Sequence, residues 1–105
     1  MDINIRVSAS ELEPWLPRVH RQLNLNLSSL RENVRTVDVR LDKEQGNPVA
    51  RITCRMQALL QDERQVMVDT NGSNPNICIA DAAARLARTV GRDLYRLHSP
   101  STVSH

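Results

Sequence analysis

Residues 79–97 read IADAAARLARTVGRDLYRL, and the spacing within this stretch decides the fold. Ile79, Ala83, Leu86, Val90, Leu94 and Leu97 recur at steps of three and four, which predicts a helix with one apolar stripe that must lie on another layer. Gly91 costs that helix about 1 kcal/mol relative to alanine. Upstream, Asn71-Gly72-Ser73-Asn74-Pro75 is a dense breaker cluster, and Asn74 before Pro75 supplies an N-cap and a first-turn proline. Downstream, residues 99–105 contain Pro100 and no apolar pattern, so a loose tail is expected there.

Moving outward, the chain changes period from helical to alternating. Val66, Val68 and Thr70 form one face of a strand, with Met67 and Asp69 opposite. Ile52, Cys54, Met56 and Ala58 form the face of another, against Arg51, Thr53, Arg55 and Gln57. Val37, Val39 and Leu41 alternate with Thr36, Asp38 and Arg40, and Lys43 to Pro48 connects this strand to the next as a hairpin. Three consecutive strands with short connections predict an antiparallel meander.

The first third repeats the theme. Ile3, Ile5 and Val7 predict an opening strand buried on one face. Ser10-Glu11-Leu12-Glu13 has the form of a capping box. Leu12, Leu16, Val19, Leu23, Leu27 and Leu30 then predict a helix from about residue 11 to 30, which Pro17 should kink or delay. The order is β-α-β-β-β-α. Strands apolar on one face only, with two one-stripe helices, predict an α+β two-layer sandwich: a four-stranded sheet with both helices packed on one face. Residues 1–98 are read as a single domain.

Composition narrows the function. The chain has 105 residues, 40% apolar, 25% charged, with a formal charge of +2. Of the 14 basic residues all but Lys43 are arginine, while phenylalanine is absent and Trp15 and Tyr95 are the only aromatics. Arginine offers a planar fork of donors suited to phosphate. Base-stacking platforms need several aromatic side chains, so any nucleic acid should be held by its backbone. No apolar run approaches the roughly 20 residues of a membrane span, and Met1 to Val7 lacks the character of a signal peptide. A cytoplasmic protein with no membrane partner is expected.

Arg85, Arg88, Arg92 and Arg96 are spaced three, four and four apart. At about 100° per residue they centre roughly 150° from the stripe through Leu86, forming a ridge about 16 Å long that faces solvent. Such a ridge can contact several phosphates; its ordinary alternative is a solvated helix face on which Asp81 and Asp93 pair with Arg85 and Arg96. Arg6, Arg40, Arg51 and Arg55 fall out of phase with the core residues of their strands, on the sheet face the helices leave open. Asp38 and Asp69 share that phase, so cross-strand pairing is the competing explanation. Arg18 and Arg21, with His20, make a smaller cluster on the first helix.

Catalysis finds no support. No His stands near a Cys or Ser in a nucleophile motif, and Gly46, Gly72 and Gly91 cannot build a phosphate-cradling loop. Cys54, Cys78, His20, His98 and His105 are scattered, whereas a structural zinc needs about four ligands at paired spacings. Neither metal, cofactor nor small-molecule substrate is expected. The two cysteines sit on apolar stripes as small hydrophobes.

With these residues in place, the chain resembles the ribosome hibernation-promoting factor and ribosome-associated inhibitor family, also called sigma-54 modulation proteins. The resemblance covers about residues 1–98 and rests on MDINIRV at the start, on VRTVDVRL, and above all on residues 79–97. Arg85-Leu86, Arg88, Arg92 and Arg96 fall on the basic positions of that family's last helix. Where the family often carries Asp-x-Tyr, this chain has Asn71 to Pro75, and its basic positions are arginine where lysine is frequent.

The resemblance implies a non-catalytic protein that binds 16S ribosomal RNA of the small subunit, in the channel where messenger and transfer RNA would lie. It would thereby inhibit translation or preserve idle ribosomes under stress. It also implies a short form without the extra C-terminal domain of long members, expected as a monomer. The residues expected to contact RNA are Arg85, Arg88, Arg92, Arg96, Arg18, Arg21, Arg51, Arg55 and Arg6. The alternative is a protein-binding regulatory module on the same fold.

Overall fold

The computed structural model describes residues 1–45 and 50–98, the last three of them by backbone alone. Its strands are β1 (Asp2–Val7), β2 (Val34–Glu44), β3 (Arg51–Leu60) and β4 (Gln65–Gly72), in the spatial order β1-β2-β3-β4. The meander expected from the alternating stretches is present: β2 pairs antiparallel with β3, and β3 with β4. β1 lies parallel to β2, with Ile3 opposite Val37 and Ile5 opposite Val39. A parallel neighbour needs a long crossover, which the segment between β1 and β2 provides. The β-α-β-β-β-α order and the two-layer α+β sandwich are therefore as the sequence predicts.

The crossover is not the single helix expected over 11–30. It is a 3-10 turn at Ser10–Trp15, helix α1 at Leu16–Asn26, and a second 3-10 turn at Ser28–Asn33. Pro17 takes one of the first helical positions, where its missing N–H costs nothing, and so fixes where α1 begins. The apolar stripe survives these breaks, since Leu12, Val19, Leu23 and Leu27 are all buried. The capping box is absent. Ala9 occupies the cap with no side-chain bond, Leu12 N–H donates to the Ala9 carbonyl, and Glu11 reaches Lys43 at 2.7 Å.

β2 begins earlier than the alternation suggests. Val34 and Val37 are three residues apart and in a regular strand would face opposite sides, yet both are buried. The pairing register shifts between Val34 and Thr36, and this irregularity turns Val34 inward. The hairpin expected over Lys43 to Pro48 falls partly on residues 46–49, which lie outside the described residues, as does the tail at 99–105. At the other hairpin Glu63 adopts φ 72°, and its N–H donates to the Leu60 carbonyl at 2.9 Å. That is the left-handed residue closing a short loop, filled here by a residue that is not glycine.

Helix α2 (Pro75–His98) starts as predicted: Asn74 Oδ1 accepts from Asn76 N–H at 2.9 Å and from Ile77 N–H at 3.4 Å. Its buried residues Cys78, Ile79, Ala82, Ala83, Leu86 and Val90 close one core with the inward faces of β2, β3 and β4 and with α1. Thr70, the one buried polar side chain among the described residues, donates its hydroxyl to the Cys78 carbonyl at 2.8 Å and ties β4 to α2. Both cysteines are buried and free. Burial, helped by the neighbouring Cys78 and Asp69, pushes the Cys54 thiol up to about 12, and burial raises the Cys78 thiol as well.

Candidate nucleic-acid interface

Because the core stripe of α2 is pinned to the sheet, the arginines are carried on an exposed flank of the helix, beside the β4 edge. Arg85, Arg88 and Arg92 are exposed, and with Val68, Asp69 and Thr89 they line a groove between α2 and the free edge of β4. Arg85 leans across this groove, its Nη1 donating to the Asp69 main-chain carbonyl at 3.4 Å. The side chain of Arg96 lies outside the described residues. Asp93 meets Arg64 of the β3–β4 turn at 3.7 Å, and the pairing expected between Asp93 and Arg96 falls outside the described residues.

The open face of the sheet collects a second set. Register places Arg6 beside Arg40, Arg40 beside Arg55, and Arg55 beside Asp69, so three arginines and one carboxylate form a row across all four strands. Neighbouring strands are roughly 4.8 Å apart. Like charges directly opposite one another destabilise a sheet, and carboxylates offset two of the three. Arg40 Nε pairs with Asp42 at 3.2 Å, and Arg55 Nε with Asp69 at 2.8 Å. The bond and charge of Asp69 hold the Arg55 guanidinium above its ordinary pKa. Asp38 pairs with no arginine among the described residues and accepts instead from Asn4 Nδ2 at 3.3 Å. Arg51 donates to Asn71 Oδ1 at 2.7 Å.

The clusters named in the sequence thus fall on distinct surfaces. The ridge and the sheet row meet at Asp69, which contacts Arg85 through its carbonyl and Arg55 through its carboxylate. Arg18 is half-buried and donates to Asn76 Oδ1. Asn76 and Arg85 are nine residues apart, which at about 100° per residue sets them on opposite flanks of α2. Arg18 therefore belongs to the flank facing α1, away from the groove, and Arg21 is exposed on the same helix. Arg40 was not among the residues expected to contact RNA, although it stands in the row with Arg6 and Arg55. Its alternating phase was the available signal. The Arg55–Asp69 pair at this junction is the cross-strand pairing their shared phase suggested, whereas the Arg85 contact had no sequence signal, since it joins an edge carbonyl to a helix residue 16 positions away.

The arrangement can hold polyanions by charge and by forked donors. Among the described residues no group of His, Cys, Asp or Glu is arranged to hold a metal ion, and no helix is long and apolar enough to cross a membrane. The fold and surface define an α+β sandwich with a cationic groove at one sheet edge and a polar, arginine-bearing open face.

Solved structures of the same fold are known. The chain is similar to the N-terminal domain of Thermus thermophilus Protein Y, with a TM-score of 0.65 and 17% identity over 89% of this chain and 99% of that one. It is also similar to a ribosomal subunit interface protein from Coxiella burnetii, with a TM-score of 0.71 and 7% identity over 90% of this chain and 98% of that one. At these identities the likeness is one of fold. No family model and no curated protein matches the sequence.

Proposed function

We propose that this chain is a non-catalytic, cytoplasmic factor that binds 16S ribosomal RNA of the small ribosomal subunit as a monomer and thereby inhibits translation or stabilises idle ribosomes under stress. The observation that carries this reading is the groove between the β4 edge and α2, walled by Arg85, Arg88 and Arg92. It lies on a fold shared with a protein described as a ribosomal subunit interface protein. Arginines without aromatic companions suit a phosphate backbone, which supplies affinity without requiring exposed bases. No cofactor takes part in such binding.

Sedimentation with purified small subunits at low salt tests the reading. The protein is expected in the subunit fractions, and Arg88→Glu with Arg92→Glu is expected to remove it. Absence of the wild-type protein from those fractions would refute the proposal.

The ion pairs Arg40–Asp42 and Arg55–Asp69 favour a second reading, a protein-binding module that uses the polar open face. A pull-down that survives nuclease and high salt would select it.

A further inference from the structure

Two arginines from different elements converge on Asp69. Across the open face of the sheet, Arg55 Nε donates to its carboxylate at 2.8 Å. Over the β4 edge, Arg85 Nη1 donates to its carbonyl at 3.4 Å. Asp69 also lines the groove with Arg88 and Arg92. A single carboxylate thus stands where the ridge of α2 and the row Arg6–Arg40–Arg55 would otherwise run together.

We infer that Asp69 is a built-in competitor for the phosphodiester ligand, occupying on Arg55 the place a phosphate would take and separating groove from sheet row. This rests on the proposed binding of RNA and adds the residue that sets its strength and extent. A carboxylate oxygen at 2.8 Å engages one edge of the guanidinium fork in the manner of a phosphate oxygen. The Arg55 and Asp69 side chains are 55% and 46% exposed, so water reaches the pair and holds it weakly enough for an incoming anion to displace it. Without the carboxylate, Arg55 joins Arg85, Arg88 and Arg92 in one cationic track that wraps the β4 edge.

The test uses the full chain and two probes, a fluorescein-labelled oligouridylate and purified small ribosomal subunits. Affinity is measured across a salt series for wild type, D69N, D69S and the pair R55Q/D69N with its R55Q parent. On a single strand, one additional phosphate contact steepens the slope of log affinity against log salt by about 0.7, which at 0.1 M salt corresponds to about fivefold tighter binding. D69N and D69S are both expected to show that gain and that steeper slope on the oligonucleotide, so a folding defect in either leaves the test intact. In the R55Q background the gain should fall below about twofold.

No gain over wild type on the oligonucleotide, whether both proteins bind or neither does, overturns the inference. A gain that persists undiminished without Arg55 overturns it too, because charge removal alone would then explain the effect. If the gain on the oligonucleotide holds while no variant binds subunits, the ribosomal reading fails and the competitor role of Asp69 stands.

Discussion

Replacing Arg88 and Arg92 together by glutamine should change not merely the affinity for small subunits but its dependence on salt. Both side chains are exposed on α2 and line the groove, with no ion pair to a carboxylate among the described residues. Each phosphate neutralised by such a group contributes about 0.7 to the salt slope for single strands and about 0.9 for duplex, so removing two lowers it by about 1.4–1.8. The double variant should therefore bind about 70- to 200-fold more weakly at 50 mM salt, but only about 10- to 20-fold more weakly at 200 mM. Exposed substitutions of this kind leave stability within about 0.5 kcal/mol, which a thermal melt checks. The assay is fluorescence anisotropy of labelled protein titrated with small subunits at several salt concentrations. Parallel log–log lines for wild type and variant would refute the reasoning, since they would mean that Arg88 and Arg92 displace no counterions.

Gly91→Ala should stabilise the protein by about 1 kcal/mol and raise its melting temperature by several degrees, because a Cβ there meets nothing within 4 Å and the residue lies inside α2. Glu63→Gly should stabilise it by about 0.5–1 kcal/mol in urea denaturation. The relief of a left-handed residue at φ 72° exceeds the entropy that glycine adds to the unfolded chain. Cys54 predicts an alkaline weakness. Its thiol moves from an ordinary 9.0 to about 12 in the fold, so between these values the unfolded chain releases a proton the folded chain keeps. Stability should therefore fall as pH rises above about 9, by at most about 1.4 kcal/mol per pH unit, and Cys54→Ala should flatten that decline. A disulfide-exchange reagent should react with neither cysteine until the protein unfolds, and fast reaction of the native protein would contradict the burial of both thiols.

Much of this protein was legible in its residues because the signals are local. Periods of two and 3.6 marked the strands and α2, Asn74 and Pro75 marked where α2 begins, and the phase of Arg6, Arg40, Arg51 and Arg55 put them on the open face. The first helix was legible only as a stripe. Pro14 and Pro17 divide it into 3-10 and α segments, and side-chain burial alone does not distinguish those conformations. The capping box failed because the 3-10 turn begins one residue early: Ala9 takes the cap and Ser10 lies inside the turn, while Glu11 pairs with Lys43, a residue brought near only by β2.

By itself the sequence determined the order of elements, the layer each would bury, and a surface rich in arginine and poor in aromatic side chains. These follow from side-chain spacing and chemistry, which the chain carries without reference to partners distant in sequence. Only the tertiary structure decided which arginines share a surface. The parallel seating of β1 on β2 and the register across β2, β3 and β4 align Arg6, Arg40 and Arg55 with Asp69. The pinning of α2 beside the β4 edge brings Arg85 to the same residue, while Arg18 is turned to the opposite flank. Adjacency of this kind comes from strand pairing and helix packing, which depend on the whole core, and no local pattern encodes it.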